Sequence, residues 1–122
     1  MKNLSRLLFL MTATVVTTAA NGGQVEQPAA LEALQRADSV LIDVRTEQEF
    51  AEGALPGATR IETEDLTEHI ATIAPDKNAP VVLYCRSGRR ASAAQALLQE
   101  LGYSQVINAG GYQELNGLVP LR

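Results

Sequence analysis

The sequence predicts a small single domain of the α/β class, with a parallel sheet and helices on both faces of the sheet. Two apolar runs, residues 40–44 and 80–84, consist mostly of Val, Leu and Ile, which is typical of strands buried on both faces. Each run leads within a few residues into a segment with helical signals, and this strand-to-helix order is the pattern of a parallel sheet. The chain of 122 residues has room for one such domain.

The first twenty residues have the composition of an export signal. Lys2 and Arg6 precede an apolar stretch over residues 7–20, and the small residues Thr18 and Ala20 fit a signal peptidase site. We therefore expect cleavage after Ala20. The alternative is an uncleaved anchor, but the stretch is rich in threonine and shorter than the about 20 apolar residues that cross a bilayer.

The expected mature chain is a soluble, acidic, periplasmic protein without a stable membrane anchor. We predict a flexible leader over residues 21–28 and the folded domain over residues 29–122. Once the two basic residues of the signal are removed, eight basic residues face fourteen acidic ones, a net charge of −6 with the histidine neutral. This charge argues against a nucleic-acid partner. Three of the eight basic residues nonetheless cluster directly after the only cysteine: Arg86, Arg89 and Arg90.

The elements of the first half follow from local signals. Residues 29–37 carry apolar side chains at helical spacing and predict a first helix, which precedes the strand over residues 40–44. Thr46 and Glu49 then match a capping box, because the hydroxyl of the first can accept from an amide while the carboxylate of the second reaches back. The strand therefore leads directly into a helix, which ends near Gly53.

A brief extended stretch over residues 59–61 follows a turn, and Thr63 is expected to cap a helix over residues 64–73. His69 lies on that helix. Its sequence neighbours do not assemble a metal-binding or catalytic group, so we expect a partly exposed histidine without a chemical role.

The second long strand leads into the most informative segment. Residues 80–84 form the strand, and residues 91–101 form a helix that ends at Gly102. In a parallel sheet, the connection between them lies in the crevice at the carboxyl end of the strand, where such folds bind ligands. Six residues make this connection: Cys85, Arg86, Ser87, Gly88, Arg89 and Arg90.

Cys85 is the candidate nucleophile. As the only cysteine it cannot form an internal disulfide, and the ordinary alternative is a buried structural cysteine. The amino end of a helix and nearby guanidinium groups stabilise a thiolate, so we predict that Cys85 is largely ionised at neutral pH. Gly88 allows a positive φ, and successive amides can then converge on an anion.

These residues resemble the active site of the rhodanese family of sulfurtransferases. The segment from Cys85 onward is similar to the family's active-site loop, and residues 42–50, 53–58 and 108–112 resemble three further signatures in the family's order. The compact size and the export signal resemble the exported single-domain branch. The chain departs from the pattern at two positions, where many members have histidine and tryptophan: Ala54 and Tyr112.

The resemblance implies a thiosulfate:cyanide sulfurtransferase. Cys85 would take sulfur from thiosulfate, release sulfite, and pass the sulfur from a persulfide to cyanide, a small thiol or a protein dithiol. The basic loop favours thiosulfate over mercaptopyruvate, and Arg86 and Arg90 are expected to point inward. No cofactor is expected, because the sequence contains no metal cluster or nucleotide-binding motif. The implied substrate-binding residues are Arg86, Ser87, Gly88, Arg89 and Arg90.

The sequence leaves two other functions open. A phosphatase or arsenate reductase would use the same cysteine and arginine chemistry, but the related phosphatases place five residues between the two side chains, whereas Cys85 and Arg90 enclose four. The other alternative is a non-enzymatic sulfur carrier or interaction module, which a large apolar patch beside the loop would favour. Asp43 and Arg45, at the end of the first strand, are expected to form a structural ion pair.

Overall fold

The computed structural model describes residues 24–121, which form a four-stranded parallel sheet. The predicted signal peptide and the start of the predicted leader lie outside the described residues. The strands are, in chain order, β1 (Val40–Asp43), β2 (Thr59–Arg60), β3 (Val81–Cys85) and β4 (Val106–Gly111). Across the sheet their order is β2-β1-β3-β4, so the two strands predicted as buried lie in the centre.

Helices cover both faces of this sheet, which confirms the predicted α/β class. They are α1 (Gln27–Ala33), α2 (Glu47–Glu52), α3 (Leu66–Ile73), α4 (Arg89–Glu100) and α5 (Tyr112–Leu115), with a 3₁₀ turn at Thr63–Asp65 before α3. Buried residues of α1 and α5 share one apolar core, and buried residues of α3 and α4 share the other. None of the helices within residues 24–121 has the length and apolarity needed to cross a membrane.

The central strands are apolar throughout because each face of the sheet has its own core. Ile42 pairs with Leu83, and both side chains enter the core beneath α3 and α4. The neighbouring residues Leu41 and Val82 are also paired, and they enter the core beneath α1 and α5. Alternation along each strand thus supplies apolar side chains to both faces.

The turn from β3 to α4 is shorter than predicted. The strand includes Cys85, and α4 begins at Arg89, so Arg90 lies in the first helical turn rather than in a loop. Gly88 is the N-cap with a φ of +92°, and its carbonyl accepts the first helical hydrogen bond from the Ser92 amide at 3.0 Å. The left-handed glycine turns the chain within three residues, which lets the helix start two residues early.

The ends of two other helices differ from the predictions. The first helix covers Gln27–Ala33 rather than residues 29–37. Its earlier start places Pro28 in the first turn, where the missing amide costs nothing. Thr63 starts a 3₁₀ turn instead of capping α3, and no side chain caps that turn or α3. The predicted capping box of α2 is confirmed, with the Glu49 amide donating to Thr46 Oγ1 and the Thr46 amide donating to the Glu49 carboxylate.

Candidate active site

Cys85 ends the central strand β3 and has no exposed surface. Its side chain lies at the edge of the core beneath α3 and α4, as predicted for the carboxyl end of a parallel strand. The Gly88 amide donates a hydrogen bond to Cys85 Sγ at 2.9 Å. A backbone amide aimed at sulfur stabilises negative charge there, although the ionisation of Cys85 stays a prediction.

Gly88 is itself held by a side chain from β4. Asn108 Nδ2 donates to the Gly88 carbonyl at 2.9 Å, and Asn108 Oδ1 accepts from the Gly110 amide at 3.0 Å. The sequence pattern does not predict this role for Asn108, although the residue opens one of the family signatures. No local signal predicts the contact, since 20 residues separate the two partners.

The three arginines of the predicted site have different surroundings. Arg90 is half-buried and donates to both carboxylate oxygens of Glu49, at 2.7 and 2.9 Å. This bond holds the pKa of Glu49 down at about 2. The bond to Glu49 also raises the pKa of Arg90, and the nearby Cys85 sulfur adds to this effect. Arg86 and Arg89 are exposed, as is Ser87.

A cavity of about 320 Å³ lies beside the loop. Of the two arginines expected to point inward, Arg86 lines this cavity, whereas Arg90 is turned toward Glu49. Glu52 and Gln113 also line the cavity, and the sequence does not predict this because neither residue belongs to a motif with a known chemical role. The lining residues are Arg45, Glu49, Glu52, Gly53, Arg86, Tyr112 and Gln113.

Asp43 and Arg45 form the predicted structural ion pair. Both are buried, and Arg45 Nη2 lies 2.7 Å from Asp43 Oδ2 and donates to the Gly53 carbonyl at 2.6 Å. Although burial opposes its charge, the hydrogen bonds and charge of Asp43 raise the pKa of Arg45. The guanidinium also lies 4.5 Å from the ring centre of Tyr112 and 5.4 Å from that of Tyr84. Arg45 and Tyr112 of this cluster line the cavity.

Gly111 brings β4 close to the loop over residues 86–88. A Cβ added there would overlap the Arg86 carbonyl oxygen and the Glu114 carboxylate, so only glycine allows this approach. The contact with the loop therefore depends on the backbone of Gly111 and not on a side chain. His69 is exposed on α3 and lines a separate groove with residues of β2.

Known proteins resemble this chain in both sequence and fold. Residues 26–117 match the model of the rhodanese-like domain. The chain is 40% identical to the thiosulfate sulfurtransferase PspE of Escherichia coli over 74 residues, which are 61% of this chain and 71% of the relative. It is 31% identical over 88 residues to the thiosulfate sulfurtransferase GlpE of Stutzerimonas stutzeri, covering 72% and 79% of the two chains.

The fold comparison agrees with the sequence comparison. A structure described as rhodanese with anions from E. coli superimposes with a TM-score of 0.63 and 38% identity, covering 67% of this chain and 94% of that one. The fold, the family model and the named relatives all agree with the motifs around Cys85. The chain therefore belongs to the rhodanese-like family of sulfurtransferases.

Proposed function

We propose that this protein is a thiosulfate sulfurtransferase that carries sulfur as a persulfide on Cys85. The observation that supports it most is the 2.9 Å hydrogen bond from the Gly88 amide to Cys85 Sγ, at the amino end of α4. The amide and the helix dipole both favour negative charge on sulfur. The names of the relatives PspE and GlpE support thiosulfate as the donor.

The reaction has two steps, the uptake of sulfur from thiosulfate and its transfer to an acceptor. The Cys85 thiolate attacks the outer sulfur of thiosulfate, the sulfur–sulfur bond of thiosulfate breaks, and sulfite leaves with the electron pair. The resulting persulfide keeps its negative charge among the amides of residues 86–90. In the second step, cyanide attacks the outer sulfur, leaves as thiocyanate, and restores the Cys85 thiolate. A small thiol or a protein dithiol can accept the sulfur in the same way, forming a persulfide on the acceptor.

The donor reaches Cys85 from the cavity beside the loop. Because the thiol has no exposed surface, we infer that the loop moves locally at its exposed residues Arg86 and Ser87 when thiosulfate enters. The positive charge of Arg86 at the cavity attracts the dianion. Arg90 contributes its charge from a fixed position, because Glu49 holds both of its terminal nitrogens.

The salt bridge between Arg90 and Glu49 argues against an oxyanion hydrolase. A phosphatase or arsenate reductase needs an arginine whose terminal nitrogens are free to bind a tetrahedral anion, whereas those of Arg90 are bound to Glu49. We further propose that the protein acts in the periplasm after cleavage of residues 1–20, on the basis of the export signal in its sequence.

The intact mass of the purified mature protein tests this function. After incubation with thiosulfate and removal of the excess, the protein should gain the mass of one sulfur atom, and Cys85→Ala should gain none. Adding cyanide should restore the original mass and produce thiocyanate. A wild-type protein that takes no sulfur from thiosulfate would overturn the proposed donor and favour the sulfur-carrier alternative, in which another protein loads Cys85.

A further inference from the structure

Asn108 is a fully buried polar residue, and each end of its amide has a partner. It lies in β4 and has no exposed surface, yet Nδ2 donates to the Gly88 carbonyl and Oδ1 accepts from the Gly110 amide. The carbonyl can only accept and the amide can only donate, so the two partners fix the orientation of the side chain. A buried amide costs free energy unless it is paired in this way.

An irregularity in β4 accompanies this contact. Asn108 pairs with Leu83, but the next pair joins Gly110 to Tyr84, so Ala109 is an extra residue in the ladder. Bulges of this kind change the direction of a side chain and are common beside active sites. Here the bulge separates Asn108 from Gly110, whose amide turns back to bond Asn108 Oδ1 at 3.0 Å.

We propose that Asn108 is a positioning residue that holds the Gly88 amide on the Cys85 sulfur. The Gly88 carbonyl accepts two hydrogen bonds, from Asn108 Nδ2 at 2.9 Å and from the Ser92 amide at 3.0 Å. One bond ties Gly88 to the sheet, and the other ties it to α4. With its carbonyl held on both sides, Gly88 keeps its own amide 2.9 Å from Cys85 Sγ.

The space beside Gly88 is narrow as well. A Cβ on Gly88 would lie 2.9 Å from a methyl group of Val25 and 3.3 Å from the Gly110 Cα, so residue 88 packs closely against β4 and the segment before α1. The amide of Glu26 donates to the Asn108 carbonyl at 2.8 Å, which keeps this segment against β4. Asn108 thus bonds three separate parts of the chain, at Glu26, Gly88 and Gly110.

Replacing Asn108 tests the proposal. Asn108→Ser is too short to reach the Gly88 carbonyl, and Asn108→Asp can accept from the Gly110 amide but cannot donate to Gly88. With either variant we expect the thiolate absorbance at neutral pH to fall and alkylation by iodoacetamide to slow several-fold. Persulfide formation from thiosulfate should slow about tenfold, because the hydrogen bond from the Gly88 amide to the charged sulfur is lost. The two variants together separate the lost bond from the added charge of aspartate.

Gln95→Met is the matched control. Gln95 is also a buried amide, and its Nε2 donates to the Val106 carbonyl at 2.9 Å, but it does not bond the loop after Cys85. This control removes a buried side-chain hydrogen bond outside the loop and should keep the wild-type thiolate signal. Wild-type thiolate absorbance and alkylation in both Asn108 variants would overturn the proposal, as would an equal loss in Gln95→Met.

The persulfide measurement rests on the proposed function, whereas the thiolate and alkylation measurements do not. If the wild-type protein takes no sulfur from thiosulfate but the Asn108 variants still weaken the thiolate, the proposed donor is wrong and the positioning role stands. If the wild-type protein takes sulfur and the variants behave like it in every measurement, the positioning role is wrong and the proposed function stands.

Discussion

Glu49 and Arg90, which are 41 residues apart in the chain, form a bidentate salt bridge between the first turns of α2 and α4. The Glu49 carboxylate also accepts from the amide and the hydroxyl of Thr46, which closes the capping box of α2. A carboxylate in the first turn of α2 therefore holds an arginine in the first turn of α4.

The Glu49 salt bridge should make the protein less stable in acid. The bond to Arg90 lowers the pKa of Glu49 from 4.5 to about 2, so its contribution is fully present above pH 4.5 and is lost as the pH falls toward 2. Glu49→Gln should reduce the free energy of unfolding at neutral pH by about 1 kcal/mol and weaken this acid dependence. Urea unfolding across this pH range measures both effects.

Glu47→Gln is the control for that experiment, because Glu47 is exposed in the same helical turn. It should follow the wild-type acid dependence. If Glu49→Gln and the wild type lose the same stability between pH 4.5 and 2, the salt bridge is not the source of the effect.

Asp43→Asn should destabilise the fold strongly. The substitution leaves the buried guanidinium of Arg45 without its counter-charge, and breaking a buried pair in this way costs about 3–5 kcal/mol. Asp38→Asn removes a comparable partner from Arg36, at 2.9 Å but about half exposed, and should cost under about 1 kcal/mol. Urea unfolding at neutral pH compares the two, and equal losses would contradict the structural role of the buried pair.

Gly111→Ala should displace the loop over residues 86–88. The added methyl group would overlap the Arg86 carbonyl oxygen and the Glu114 carboxylate, so we expect persulfide formation to slow by about tenfold or more, with a stability loss of about 1–3 kcal/mol. Gly117→Ala strains a backbone with a φ of +88° but meets nothing within 4 Å. That control should lose some stability and keep the wild-type rate of persulfide formation. A wild-type rate in Gly111→Ala would show that the loop tolerates the shift.

Arg86→Ala should weaken thiosulfate binding more than turnover. Arg86 lines the cavity and the proposed donor is a dianion, so we expect KM for thiosulfate to rise about tenfold, with less dependence on ionic strength than in the wild type. Arg36→Ala removes the same charge from an exposed pair outside the cavity and should leave KM unchanged. Steady-state kinetics at low and high salt measure these effects. An equal rise of KM in both variants would show that the net charge of the protein, and not the position of Arg86, attracts thiosulfate.

Much of the architecture could be predicted because its signals are local. The apolar run before Cys85 predicts a central strand, and the Thr46 and Glu49 pattern predicts a capping box, since both depend on residues within one element. The position of Cys85 at a strand end follows from the same patterns. Local signals failed at Thr63, where the structure has a 3₁₀ turn instead of the capped helix that a hydroxyl residue suggests.

The α/β class, the parallel central strands and the candidate nucleophile follow from patterns within single elements of the sequence. Three features are seen only in the folded chain: Arg90 binds Glu49, α4 already begins at Arg89, and Asn108 bonds Gly88. Each of these depends on which distant elements pack together, and a short stretch of sequence carries no record of that. Strand pairing and helix packing bring such partners within 3 Å, where hydrogen bonding between them sets the geometry around the sulfur.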